Sequence, residues 1–339
     1  MAANLPRAIP SGRARSLAVL VALTVVSSLP SLAQARCDPP PTPIVDLDMA
    51  RPYTNAAGSE ASADLQDRHR SEAAPLKTWL SAVAKAADTR SGAPCALSWL
   101  TAWSRAGALL GEMKSKQAEY ERKWTMTGAA LAYLKLAPAA SRDDRASIEP
   151  WLKKLADASY RFAAAAGHKR NNHWYWLGLG LGGVALAAGD DSYWETAHAI
   201  FSDAIAEISA GGTLPMELAR EKRALHYHDF ALMPLVTLAE LAALRGEDWY
   251  GEQSGALHRL VGPTLAGLAE PARFAALAGM SQEPPARPGS GWYALYAARF
   301  AGRIAKPLAG ARPDHRWLGG DVRNLAAAIN ALGPPERQR

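Results

Sequence analysis

The chain has 339 residues, 49% hydrophobic and 21% charged, which is enough to bury one large core without a disulfide scaffold or metal staple and too apolar for wholesale disorder. The net charge of +6 falls to +3 once residues 1–35 are set aside, since that stretch holds Arg7, Arg13 and Arg15 and no acid. An excess so small and scattered does not argue for nucleic acid; focused in a cleft, it would suit an acidic substrate.

Residues 1–35 read as a secretory signal peptide. A basic start leads into the apolar run Ser16–Leu29, and small residues at Ser31, Ala33 and Ala35 allow cleavage after Ala33 or Ala35. That run is short for a membrane span of ~20 residues, and Arg36 before Cys37 does not fit a lipoprotein site. The mature chain, 36–339, is expected to be exported and periplasmic, without a membrane anchor. In an oxidising compartment Cys37 and Cys95 would pair and tie the new N-terminus to the domain; two separate thiols are the alternative.

After a proline-rich lead-in (Pro39 to Pro43) and a Gly/Ala/Ser-rich loop around Tyr53 to Ser62, the apolar period is helical. Leu76, Trp79, Leu80 and Val83 form one stripe, and Ile148, Leu152, Leu155, Ser159 and Phe162 another. Ala197, Phe201, Ala204, Ile205 and Ile208 form a third, and Leu257, Leu260, Val261, Thr264, Leu265 and Leu268 the clearest. No segment alternates as a strand does, so no sheet is expected. Breakers at Pro94, Pro138, Gly167, Gly189, Gly211, Pro215, Gly251, Pro263 and 284–291 divide the chain into roughly ten helices, with Pro234 as a kink. The expected fold is a single all-α domain of helical hairpins.

Gly178–Gly183 imitates a dinucleotide loop but lacks a preceding strand, so close helix packing is the better reading. His226 and His228 stand at i and i+2, on different helix faces, which argues against a metal pair. Asp143–Asp144 and Asp190–Asp191 sit at helix starts and read as caps. No nucleophile motif, metal-ligand spacing or cofactor loop is present in the sequence.

Two segments resist a pure packing account. In the first, Lys169 to Trp176, Asn172 can cap the following helix. The cap leaves Asn171, His173 and three aromatic residues unexplained, and a helix start with amide and imidazole donors is a seat for a carboxylate. In the second, Leu214 to Phe230, Arg220 and Tyr227 share a face if the helix is unbroken, and Arg223 lies one turn from Tyr227, where it would help lower the phenol pKa.

Together these segments resemble the alginate lyases of polysaccharide lyase family 5. Asn-Asn-His-x-Tyr-Trp stands at Asn171, Asn172, His173, Tyr175 and Trp176. Leu-Pro-x-Glu-Leu stands at 214–218, and Arg-Ala-Leu-x-Tyr-His at 223–228. Leu-Gly-Gly-Asp-Val at 318–322 and Cys-x-Leu-x-Trp-Leu at 95–100 follow the same order. The resemblance implies an incomplete (α/α) toroid of helical hairpins, an anionic polysaccharide as partner, no cofactor and a monomer.

It further implies that Asn172, His173 and Arg220 meet the carboxylate of the +1 sugar, that Tyr227 acts at the scissile bond, and that Trp176 lines the cleft, with Asn171 beside it. The chemistry needs such groups. The C5 proton of a uronate is too weakly acidic until its carboxylate is neutralised; a base then removes it and an acid protonates the departing C4 oxygen. In β-D-mannuronate both leave from one face, so Tyr227 can serve as acid and base, with His173 as neutraliser or alternative base. The family's Lys-Tyr-Glu-Gly entrance loop is replaced here by Arg51–Gly58, with no matching lysine. Arg51, Tyr53 and Tyr120 are therefore candidate contacts from mobile entrance segments, and polyglucuronate or hyaluronan is an alternative substrate. A non-catalytic polysaccharide-binding scaffold would need only the aromatic residues, not this set.

Overall fold

The computed structural model describes residues 37–331 apart from residue 166; the predicted signal peptide at 1–35 lies outside the described residues. Twelve helices are present among the described residues: α1 (Ala63–Ala87), α2 (Ala93–Arg105), α3 (Lys116–Leu136), α4 (Arg142–Ala164), α5 (Asn172–Ala188), α6 (Asp191–Ala206), α7 (Pro215–Leu218), α8 (Ala224–Leu244), α9 (Glu252–Ala269), α10 (Pro271–Ala278), α11 (Trp292–Arg299) and α12 (Asn324–Ala331). They fall into two kinds. The helices α3, α5 and α8 are buried almost all round and pack in the succession α3–α5–α8. The helices α1, α4, α6 and α9 each bury one stripe against them and turn a polar face outward.

The glycines of α5 explain how an inner helix is surrounded. A Cβ at Gly178 would stand 2.8 Å from Ile200 of α6, and one at Gly182 2.7 Å from Leu238 of α8. Close packing, not a phosphate loop, is their role. Of the two expected acidic pairs, Asp190 is the N-cap of α6 and Asp144 completes a reciprocal capping box, whose N-cap is Ser141.

Three expectations are corrected. Pro263 does not break a helix; it lies inside α9, because Leu257, Leu260, Val261 and Thr264 are buried on both sides of it and packing outweighs the lost hydrogen bond. A sheet exists, though only of two-residue strands, β1 (Asp314–His315) and β2 (Gly320–Asp321), antiparallel and too short to leave a period of two in the sequence. The third concerns the stretch 214–230, described with the site below.

Cys37 and Cys95 are joined, with Cα atoms 5.3 Å apart. The lead-in beyond is strapped to α2, where the indoles of Trp99 and Trp103 donate to the carbonyls of Asp38 and Pro41. No helix among the described residues is long and apolar enough to cross a membrane.

Candidate active site

A cavity of about 1210 Å³ opens between the start of α5, the N-terminal half of α3, the 214–230 segment and the loop 51–58. Eight lysines and arginines line it against three acids, Glu119, Glu121 and Asp229. The modest net charge of the chain is thus focused where an anion would enter. Asn171, Asn172, His173, Arg220, Tyr227, Arg51, Tyr53 and Tyr120 all lie on its wall. Trp176 does not: it is fully buried, against Phe230 and edge-on to Trp317. Four residues after Asn172, it faces the core, and the aromatic wall is formed by Trp124 stacked on Trp317 at 4.6 Å.

The start of α5 is built differently from the sequence reading. Its N-cap is Asn171, whose side chain accepts from the backbone N–H of His173. Asn172 is the first helical residue and is wholly buried. Its backbone N–H (2.7 Å) and its side-chain amide (2.9 and 3.1 Å) both donate to the carboxylate of Glu217, while its Oδ1 has no hydrogen-bond partner. Glu217 also faces Arg220, with its Oε2 3.4 Å from Nε. Burial raises the pKa of Glu217, opposed by Arg220 and Asn172. Sequence reasoning missed this carboxylate as a site residue, although it is the glutamate of the Leu-Pro-x-Glu-Leu pattern.

The chain from 214 to 230 is not one helix. It breaks after α7, turns through Glu221 at φ +54° and a short 3-10 turn at 221–223, and re-forms as α8. Pro215 starts the first piece, and the side chain of Glu221 bonds to Ser59 of the facing loop. Arg220 and Tyr227 meet nonetheless, with the guanidinium carbon 4.4 Å from the ring centre, and Arg223 stands 5.5 Å away.

Arg223 pulls the Tyr227 phenol down as expected, but its effect is outweighed. Burial, first, and then Tyr53, to which the phenol is hydrogen-bonded, push the pKa up, outweighing the pull of Arg220 and Arg223. His226 lines the cavity, while His228 is buried and bonded to Leu214 and Ala224, so the two rings serve different places.

Loop 51–58 folds over this pair. Arg220 donates to the carbonyl of Ala57 at 2.9 Å, and Arg223 to the hydroxyl of Tyr53 at 2.5 Å. Tyr227 is left 8% exposed. Gly58, at φ +71°, is needed here, since a Cβ would meet the Tyr227 hydroxyl at 2.9 Å. Tyr120 does not belong to an entrance segment; it sits in α3 and stacks on His173 at 3.7 Å. The 318–322 motif turns through Gly319 and Gly320, both at positive φ, where Lys135 binds the carbonyls of Gly319 and Asp321, and this turn holds Trp317 against the cavity.

Residues 46–274, more than half of the chain, match the family model for alginate lyase. The chain belongs to the alginate lyase family. It is a polysaccharide lyase, 40% identical over 322 residues to a polysaccharide lyase of Stenotrophomonas maltophilia strain K279a, covering 92% of this chain and 97% of that protein. An alginate lyase of Cobetia marina is 34% identical over 205 residues, covering 57% of this chain and 55% of that protein. The solved alginate lyase A1-III complexed with tetrasaccharide superimposes with a TM-score of 0.75 at 22% identity, covering 88% of each chain. The fold of this lyase is accordingly the α/α toroid expected from its motifs.

Proposed function

We propose that this lyase cleaves mannuronate-containing alginate by β-elimination, leaving an unsaturated uronate at the new non-reducing end. The observation that carries this reading is the contact of the Tyr227 phenol with the guanidinium groups of Arg220 and Arg223, with Tyr53 beside it, in a cavity whose lining is dominated by positive charge. Arg220 and His173 neutralise the carboxylate of the sugar at the +1 subsite, and Asn172, whose donors are held by Glu217, positions the start of α5 behind them. The C5 proton then becomes acidic enough to leave, with negative charge spread into the carboxylate. Tyr227, as phenolate, takes that proton and returns it to O4 as the C4–O4 bond breaks and the C4=C5 bond forms. The same-face relation of H5 and O4 in mannuronate lets one group do both.

A second reading, a broader polyuronate lyase, is favoured by one observation. The segment that departs from the family pattern, Arg51–Gly58, is the one that bonds to Arg220 and Arg223. β-D-Glucuronate differs from mannuronate only at C2 and keeps the facial relation. Initial rates on polymannuronate, polyguluronate, polyglucuronate and hyaluronan, followed by ultraviolet absorbance of the unsaturated product, test both. Activity confined to polymannuronate supports the first reading; equal or greater rates on glucuronate polymers support the second; no product absorbance on any overturns both.

We also propose a periplasmic, monomeric enzyme formed by 36–339 after removal of 1–35. The Cys37–Cys95 bond fits an oxidising compartment. Cell fractionation with N-terminal sequencing tests export, and sedimentation the monomer.

A further inference from the structure

Lys123 is a buried amine that no step above uses; burial drives its pKa well below the ordinary lysine value, and Glu121 pulls it back up. Only 3% exposed, it lies in α3 between the rings of Tyr120 and Trp124, each 4.9 Å from its Nζ. Nζ stands 3.1 Å from His173 Nδ1 and 3.2 Å from the His173 carbonyl oxygen. Two ring faces and a carbonyl accept and do not donate, so the N–H groups of Lys123 have these groups and Nδ1 to point at. The imidazole cannot turn away. Tyr120 is stacked on one face at 3.7 Å, and the backbone of His173 is held by Asn171. With Nδ1 turned toward Lys123, Nε2 is the nitrogen left for a ligand in the cavity that His173 lines.

We propose that Lys123 is a positioning residue whose Nζ donates to His173 Nδ1, holding the neutral imidazole as the Nε2–H tautomer. His173 then offers a ligand a hydrogen-bond donor and has no free lone pair for proton abstraction. Applied to the lyase reading, on which this step rests, the tautomer makes His173 a neutraliser of the sugar carboxylate and leaves the C5 proton to Tyr227. Burial and the charges of Lys123 and Arg220 hold the His173 pKa well below its ordinary value, in keeping with a neutral ring.

The test is two-bond proton–nitrogen NMR of the full mature chain carrying ring-labelled histidine, with His173 assigned from the spectrum of His173→Ala. The expected result is a neutral Nε2–H ring in the wild type, its loss in Lys123→Met, and its recovery in Lys123→Gln, whose amide can still donate. On polymannuronate, kcat of Lys123→Met should fall about 10- to 100-fold with a smaller change in KM, and Lys123→Gln should recover part of it. An Nδ1–H ring in the wild type overturns the proposal, as does an unchanged tautomer in Lys123→Met. The wild-type spectrum needs no Lys123 variant to fold. It is also independent of catalysis: an Nε2–H ring in a protein that cleaves no polyuronate supports the tautomer and sinks the lyase reading alone.

Discussion

The guanidinium carbon of Arg220 lies 4.4 Å from the centre of the Tyr227 ring, although a break in the helix separates the two residues. The contact is made by a turn and held from the other side, where Arg220 bonds to Ala57 and Glu217. The phenol thus meets fixed positive charge without either side chain adjusting, which is how preorganised electrostatics favours a developing anion.

Removing the hydroxyl alone should therefore abolish chemistry and spare the fold. Tyr227→Phe is expected to lower kcat by about 10³-fold or more while the circular-dichroism melting curve stays close to wild type. The hydroxyl makes only a long bond to the carbonyl of Gly58 besides its contact with Tyr53. A variant keeping more than a tenth of the wild-type rate would remove Tyr227 from the acid–base role.

The pH dependence follows from the direction of the phenol's shift. Burial and Tyr53 raise its pKa, so the phenolate fraction is small at neutral pH and increases as pH rises toward that pKa. Activity should climb through the mildly alkaline range. Arg223 opposes the raised pKa, so Arg223→Met should raise it further and move the rising limb to higher pH. At pH 8 this should appear as a drop of about three- to tenfold. A limb that stays in place or moves to lower pH contradicts the assignment.

Gly58 should be intolerant of even one methyl group. Its φ of +71° disfavours any other residue by about 1 kcal/mol, and the added carbon would press on the Tyr227 hydroxyl. Gly58→Ala is expected to reduce kcat/KM about tenfold or more through a displaced loop, with little change in the global melting temperature. Steady-state kinetics beside thermal unfolding separates the two effects.

Glu217 is expected to matter for both stability and rate. Truncation in Glu217→Ala leaves the buried N–H and side-chain amide of Asn172 without acceptors, a cost of about 2–4 kcal/mol measurable by denaturant unfolding. Glu217→Gln keeps one acceptor and should cost less stability while loosening both Asn172 and Arg220, so its kcat should fall more than its stability does. Wild-type kcat in that variant would make Glu217 a purely structural residue.

Much of the fold was legible because helices announce themselves by local spacing. The stripes beginning at Leu76, Ile148 and Leu257 are buried as their period implied, except for the half-buried Phe162 and Leu265, and the glycines of α5 pack as their lack of a strand context implied. The interruption at Glu221 was not legible, since Arg220 to Phe230 is compatible with continuous helix until a facing loop binds the turn. Nor was Lys123: no apolar stripe marks α3 in the sequence, and only the packing of α5 brings Lys123 against His173.

The sequence by itself determined the helical class, the capping roles of Asp144 and Asp190, the motifs that identify the family and the residue types gathered at the site. Those depend on neighbours a few residues apart and on chemistry carried by single side chains. Tertiary structure alone decided that Trp176 serves the core while Trp124 and Trp317 wall the cavity, and that Asn171 rather than Asn172 caps α5. It also decided that the phenol of Tyr227 is raised and not lowered, because burial depends on everything packed around a group and charge–charge attraction on how closely the partners are brought together.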